Sequence, residues 1–146
     1  MNKNDLEQAM IQKGISKNFA HQILGNYLEI APFAYSSIRA SNIRNKFKQA
    51  FGSAYNNYGI YVFYYPNANE VKYIGEAASE PFSKRLTQHF NGSHGGLPFK
   101  KPTLQNVLNA CEVLILYGKY TTTQARNTHF DEDLLIGTFR PPLNDR

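Results

Sequence analysis

Hydrophobic positions recur along this 146-residue chain with two different periods, and the switch between them divides it. Over residues 5–50 the spacing is helical. Leu6, Met10 and Ile11 mark a first helix that Gly14 ends. Ser16 is a good N-cap for a second helix through Phe19, Ile23, Leu24 and Leu28, closed by Ile30-Ala31-Pro32. Ser41 opens a third, with Ile43, Phe47 and Phe51 on one side and Arg44, Lys46 and Lys48 around the rest. Residues 5–28 suit helix-turn-helix geometry and generic helical packing equally well.

Beyond the polar joint Gly52–Asn57 the chain turns β-branched and aromatic. Ile60 to Tyr65 reads as a strand, Pro66-Asn67-Ala68-Asn69 as a turn, and Val71 to Glu76 as the returning strand of a hairpin. Pro81 to about Phe90 suits a short helix with proline in its first turn, followed by the loop Asn91–Gly96. Residues 103–109 read as helical. Residues 111–117 are continuously apolar, which predicts a central strand. A long helix begins at Thr121 or Thr122 and runs to about Phe139, where Pro141-Pro142 stops it.

The hairpin makes a geometric demand. Tyr61, Phe63 and Tyr65 share one strand face, and Val71, Tyr73 and Gly75 share one face of the other strand. Tyr61 and Tyr73 face the same side if Tyr61 lies opposite Tyr73 or Gly75. A plain four-residue turn at 66–69 gives the other parity. An odd-length loop or a bulge is therefore expected, with Ile60, Val62 and Ile74 backing onto the core.

Charge changes the picture modestly. Sixteen Lys/Arg against eleven Asp/Glu give +5 and a pI near 9.3, a balance that suits a polyanionic partner. Seven basic residues lie in 1–50 and five in 51–101, against three acids in each. From 102 onward acids lead by five to four, because Asp131-Glu132-Asp133 cluster. The single cysteine, Cys111, excludes an internal disulfide and a cysteine-based zinc site. With no signal-peptide core and no apolar run of transmembrane length, the expectation is a cytoplasmic protein with no membrane partner.

Candidate chemistry lies in an ordered set: Gly59-Ile60-Tyr61, Tyr73-Ile74-Gly75, Arg85, His89, Glu132 and Asn144. Arg85 and His89 share a helical face, and Glu132 lies one helical step from the apolar stripe Leu135, Ile136 and Phe139. An acid bordering a buried stripe is costly without a matching charge, and a metal ion would match it. Taken singly, each residue has a structural explanation. A strand tyrosine packs, an arginine is solvated, and Asn144 makes a turn; His21, His94 and His129 lie outside the set. Jointly they offer a proton acceptor, a cation for developing negative charge and a metal-holding carboxylate, which is what phosphodiester hydrolysis requires.

Over residues 59–144 this order resembles the GIY-YIG nuclease family. Eleven residues separate the two tripeptides; Arg85-Leu86-Thr87-Gln88-His89 matches the family arginine with its occasional histidine. Glu132-Asp133-Leu134-Leu135-Ile136 matches the glutamate, and Pro142-Leu143-Asn144 the closing Pro-x-Asn. Two departures are Glu76, where many members carry lysine, and extra residues around Ser79-Glu80-Pro81. The resemblance implies an α+β fold: a small three-stranded antiparallel sheet flanked by helices over 55–146, with an N-terminal helical extension over 1–54.

It further implies an endonuclease that hydrolyses DNA to 5′-phosphate and 3′-hydroxyl ends with Mg²⁺ or Mn²⁺ on Glu132. Arg85 would meet a nonbridging oxygen, Tyr61 would act as general base helped by His89, Tyr73 would orient water or phosphate, and Asn144 would hold the hydrogen-bond geometry. Tyr73 or a metal-held hydroxide is the alternative base. Lys84, Lys100 and Lys101, with Arg44, Lys46 and Lys48, are candidate phosphate contacts. Duplex DNA is the expected substrate, with single strands or RNA as alternatives and a homodimer or inhibitor protein as further partners. The rival readings are a non-catalytic nucleic-acid-binding module of the same fold and an RNA-directed or toxin-type nuclease.

Overall fold

A computed structural model describes residues 1–37, 49, 58–77, 102–118 and 124–144. The chain begins with α1 (Lys3–Gln12), capped reciprocally: the Asn2 side chain accepts from the Asp5 amide at 2.8 Å, and the Asp5 carboxylate accepts from the Asn2 amide at 2.9 Å. Gly14, at φ 104°, makes the left-handed turn out of this helix, a conformation that side chains resist. Ser16 caps α2 (Lys17–Leu24), its hydroxyl accepting from the Phe19 amide at 3.2 Å.

The second helix does not continue to Ile30 as its spacing suggested. Gly25-Asn26 end it, and Tyr27–Ala34 form strand β1. Alternation explains the change: Tyr27 is fully buried while Leu28 is 43% exposed. Pro32 closes no helix. It sits between Ile30 and Phe33, where the register slips, so its missing N–H falls at an irregularity of an edge strand.

The remaining strands are β2 (Gly59–Tyr65), β3 (Glu70–Ala77) and β4 (Glu112–Gly118). Among the described residues the sheet has four antiparallel strands in the order β1-β4-β2-β3, where three were expected. The extra one comes from the segment expected to be wholly helical. Helix α3 (Pro102–Asn109) precedes β4, and α4 (Gln124–Phe139) follows it. Among the described residues no helix is long and apolar enough to cross a membrane.

Each sheet face has its own core. Ile60, Val62, Tyr64, Ile74, Leu114 and Leu116 pack against Leu6 and Met10 of α1, α2, and Leu135 and Ile136 of α4. Tyr61, Phe63, Val113 and Ile115 occupy the opposite face with Tyr35, Cys111 and Leu108 of α3. The parity demand of the hairpin is met by a bulge. Tyr61 pairs with Gly75, Val62 with Ile74 and Phe63 with Tyr73; the register then slips across Lys72, so Tyr64 faces Val71 and Tyr65 faces Glu70. Lys72, displaced by the slip, lays its ammonium 4.4 Å above the Tyr65 ring and 2.6 Å from a Glu70 oxygen.

Candidate metal centre and its surroundings

Helix α4 docks through Leu135 and Ile136, and this orientation separates its three consecutive acids. Asp131 turns toward β1 and accepts a hydrogen bond from the Tyr27 hydroxyl, which also lies 3.4 Å from the buried Thr128. Burial lifts the Asp131 carboxyl above its usual range, against the pull of the tyrosine hydrogen bond. The Tyr27 phenol is raised strongly, by burial first and then by its bond to Asp131. Asp133 is half exposed and stands 3.4 Å from Nε2 of His129, one helical turn back. Glu132 lies between them, only 3% exposed, beside the sheet.

On β3, alternation sends Glu76 to the side that α4 covers. Its two carboxylate oxygens lie 2.9 and 3.2 Å from Nδ1 of His129. The hydrogen bond to Glu76, followed by the charges of Glu76 and Asp133, raises the proton affinity of the His129 imidazole above the ordinary value. One ligand atom from each of Glu76, His129 and Glu132 falls within 4.8 Å of the other two. Two carboxylates and one imidazole so gathered, one carboxylate out of water, are a donor set that fits a divalent cation.

The motif tyrosines form a second group, on the opposite face. Tyr61 is fully buried, and its ring lies directly over Gly75. A Cβ at position 75 would collide with Cζ, Cε2 and the hydroxyl of Tyr61, so this glycine gives the ring its seat. Tyr73 is half-buried, 6.3 Å from Tyr61 between ring centroids, and Phe63 packs edge-on at 5.9 Å from each. The expected gathering of both tyrosines with Glu132 is thus divided by the sheet: positions 73 and 75 face one way, and position 76 faces the other.

Asn144 bridges neither group. Its Oδ1 accepts from the Ile74 amide at 2.9 Å, and its Nδ2 donates to the Ile74 carbonyl at 2.8 Å. The Leu143 amide donates to the Lys72 carbonyl at 3.1 Å. The segment after α4 therefore runs along the outer edge of β3 and satisfies its backbone groups as another strand would. Arg140, at φ 46°, turns the chain at the helix end. A cleft of about 670 Å³ opens there, lined by Asp133, Ile136, Gly137, Arg140, Pro141, Pro142 and Asn144.

Arg85, His89, Lys84, Lys100, Lys101, Arg44, Lys46 and Lys48 lie outside the described residues, as do the helix expected from Pro81 and, apart from the helical residue 49, the one expected from Ser41. His129 and Arg140 were not among the sequence candidates, and Glu76 stood there as a departure from the family pattern. The signal for His129 was its place three residues before Glu132, on the same helical face. Comparison with known proteins returned no match to any family model, curated protein or solved structure.

Proposed function

We propose that this chain is a divalent-metal-dependent endonuclease of the GIY-YIG type that hydrolyses phosphodiester bonds in DNA. The observation that carries the reading is Glu132, buried on the sheet side of α4, with ligand atoms of Glu76 and His129 within 4.8 Å, beside the strand that bears Tyr73-Ile74-Gly75. Glu132, Glu76 and His129 would hold the ion. When bound, it supplies Lewis-acid polarisation of the scissile phosphate and stabilises the leaving oxygen.

The chain's own groups then have distinct tasks. Tyr73, half-buried, meets water more readily than the fully enclosed Tyr61, so Tyr73 takes the role of orienting or deprotonating the attacking water. Tyr61 packs beside it and fixes its position. Asn144 is a positioning residue, holding the C-terminal segment on β3 through Ile74. Arg85 would supply the cation that meets a nonbridging oxygen and offsets charge in the transition state. The sheet keeps the tyrosines and the carboxylates on opposite faces, so a substrate would have to cross the rim of the edge strand β3 to reach both. Residues 143–144 cover that rim at Lys72 and Ile74, so the scissile phosphate is expected beside Gly75 and Glu76.

Plasmid nicking tests the reading. Wild type with Mg²⁺ or Mn²⁺ is compared with EDTA and with Glu132→Ala, Arg85→Ala, Tyr73→Phe and Tyr61→Phe. Metal-dependent nicks that vanish in Glu132→Ala and Arg85→Ala support it; nicking by neither ion, or undiminished nicking by both variants, ends it. Parallel digestion of duplex DNA, single-stranded DNA and RNA assigns the substrate.

A further inference from the structure

We infer that Glu76, His129 and Glu132 form one three-ligand site with a nitrogen donor, which binds first-row transition ions, Mn²⁺ among them, more tightly than Mg²⁺. This deepens the nuclease reading by naming the ion its site prefers, and it rests on that reading for the role of Glu132. His129 and Glu132 are three apart on α4, a spacing that brings two ligands to one helical face, as in Glu-x-x-His metal helices. Glu76 completes the set from the sheet, near the end of β3.

The distances suit one ion. Metal–ligand bonds of about 2.0–2.2 Å place neighbouring ligand atoms roughly 3 Å apart and opposed ones a little over 4 Å apart. Glu76 Oε1 and His129 Nδ1 are already 2.9 Å apart, and one donor atom from each of the three residues lies within 4.8 Å of the others. Small side-chain rotations close that set on a cation; the His129–Glu76 hydrogen bond is exchanged for two metal bonds. His129 is half exposed, so its ring can rotate.

Ion choice follows from donor type. Mg²⁺ demands oxygen ligands, keeps several waters and gains little from imidazole. Mn²⁺, Co²⁺, Ni²⁺ and Zn²⁺ accept imidazole, with affinity generally rising from Mn²⁺ to Ni²⁺. Asp133, 3.4 Å from His129 Nε2, is placed to accept the ring's other N–H once Nδ1 turns to the metal, which would fix the tautomer. The competing arrangement is purely ionic: a protonated His129 clamps Glu76 and Asp133, and no cation enters.

Direct binding separates the two without reference to cleavage. The full chain, free of DNA, is titrated with Mn²⁺ by electron paramagnetic resonance and with Mg²⁺ by calorimetry, and Co²⁺ is followed by its visible absorption. Expected are one Mn²⁺ per chain, at least tenfold tighter than Mg²⁺, and Co²⁺ bands shifted from those of the aqueous ion. His129→Ala and Glu76→Gln should each weaken Mn²⁺ at least tenfold, and His129→Ala should change Mg²⁺ less than threefold. Glu132→Gln, close to isosteric, guards against a folding defect in Glu132→Ala, and circular dichroism checks every variant.

Equal affinity for Mn²⁺ and Mg²⁺, or Mn²⁺ binding unchanged in His129→Ala, overturns the three-ligand site. Nicking that still requires a divalent ion and Glu132 would then leave the nuclease reading standing. Tight Mn²⁺ binding without any nicking would instead uphold the site and sink the nuclease.

Discussion

Replacing Gly75 with alanine should destabilise the protein by about 1–3 kcal/mol, although alanine is usually the better strand residue. Two opposing effects set the number. Removing glycine's extra backbone freedom favours the variant by about 0.5–1 kcal/mol. Against this, the new Cβ falls on two ring carbons and the hydroxyl of Tyr61, well inside the roughly 3.5–4.0 Å at which carbon atoms attract. The ring cannot simply swing away, because Phe63 and Tyr73 pack on it at 5.9 and 6.3 Å and no part of it reaches solvent. Overpacking a filled core costs about 1–3 kcal/mol, and a side chain forced some 30° off its rotamer costs about 0.5–1.5 kcal/mol.

Urea unfolding followed by circular dichroism measures the change, and at about 3–4 °C per kcal/mol for this chain length the melting temperature should fall by roughly 3–12 °C. The decisive control is the same substitution in a Tyr61→Ala background. That background is itself weakened by about 3–5 kcal/mol through the lost ring. With no ring to strike, Gly75→Ala should there be neutral or stabilising by up to about 1 kcal/mol. Equal destabilisation in both backgrounds would refute the reasoning, since the penalty would then lie in the strand backbone and not in the ring's seat.

Asn144→Ala removes both hydrogen bonds to Ile74 and should lower unfolding free energy by about 1–3 kcal/mol; amide exchange at Ile74 should accelerate, and unchanged exchange would count against the edge contact. Burial pushes the Cys111 thiol up from 9.0 to about 11, so the folded state disfavours the thiolate. The stability this gives is complete below about pH 9 and is lost as pH rises toward 11; Cys111→Ala should show a shallower fall across that window, and parallel curves would contradict it. Arg140 lines the 670 Å³ cleft at the end of α4, so under the proposed nuclease reading Arg140→Ala should weaken duplex DNA binding and make its salt dependence shallower by about one phosphate contact; an unaltered slope would remove Arg140 from the proposed interface.

Local pattern was enough where the chain folds on its neighbours. The β2–β3 hairpin is such a case: four turn residues and the need to place Tyr61 and Tyr73 on one face force an irregularity, and the slip at Lys72 supplies it. The caps at Ser16 and Gly14 and the central position of β4 follow equally from nearby residues. β1 was hidden for the converse reason. Ile23, Leu24 and Leu28 keep helical spacing, while the partners that make Tyr27–Ala34 a strand lie 78 to 91 residues ahead, between Glu112 and Gly118. Such non-local pairing overrides propensity and leaves little trace in a short window.

The same contrast explains which candidate site residues could be singled out. Glu132 was legible because its distance from Leu135 and Ile136 places it at the margin of a buried stripe, whatever it contacts. His129 was not, because a place three residues before Glu132 is also what a solvated histidine on that helix would have; its partner Glu76 is 53 residues away on β3. Glu76 looked like a departure for a related reason. A lysine at this position would bring a cation to phosphate, whereas glutamate brings a second carboxylate to the ion that Glu132 would hold. Strand alternation then connects the two halves of the proposed site. Gly75 must be bare to seat Tyr61 on one face, and Glu76, the very next residue, must therefore point to the other, where α4 presents His129 and Glu132. A one-residue slip of β3 would exchange those positions, burying the carboxylate against aromatic rings and withdrawing it from the histidine. The bulge at Lys72 therefore fixes both groups at once: it aligns Tyr73 with Tyr61, and it sets the parity that delivers Glu76 to α4.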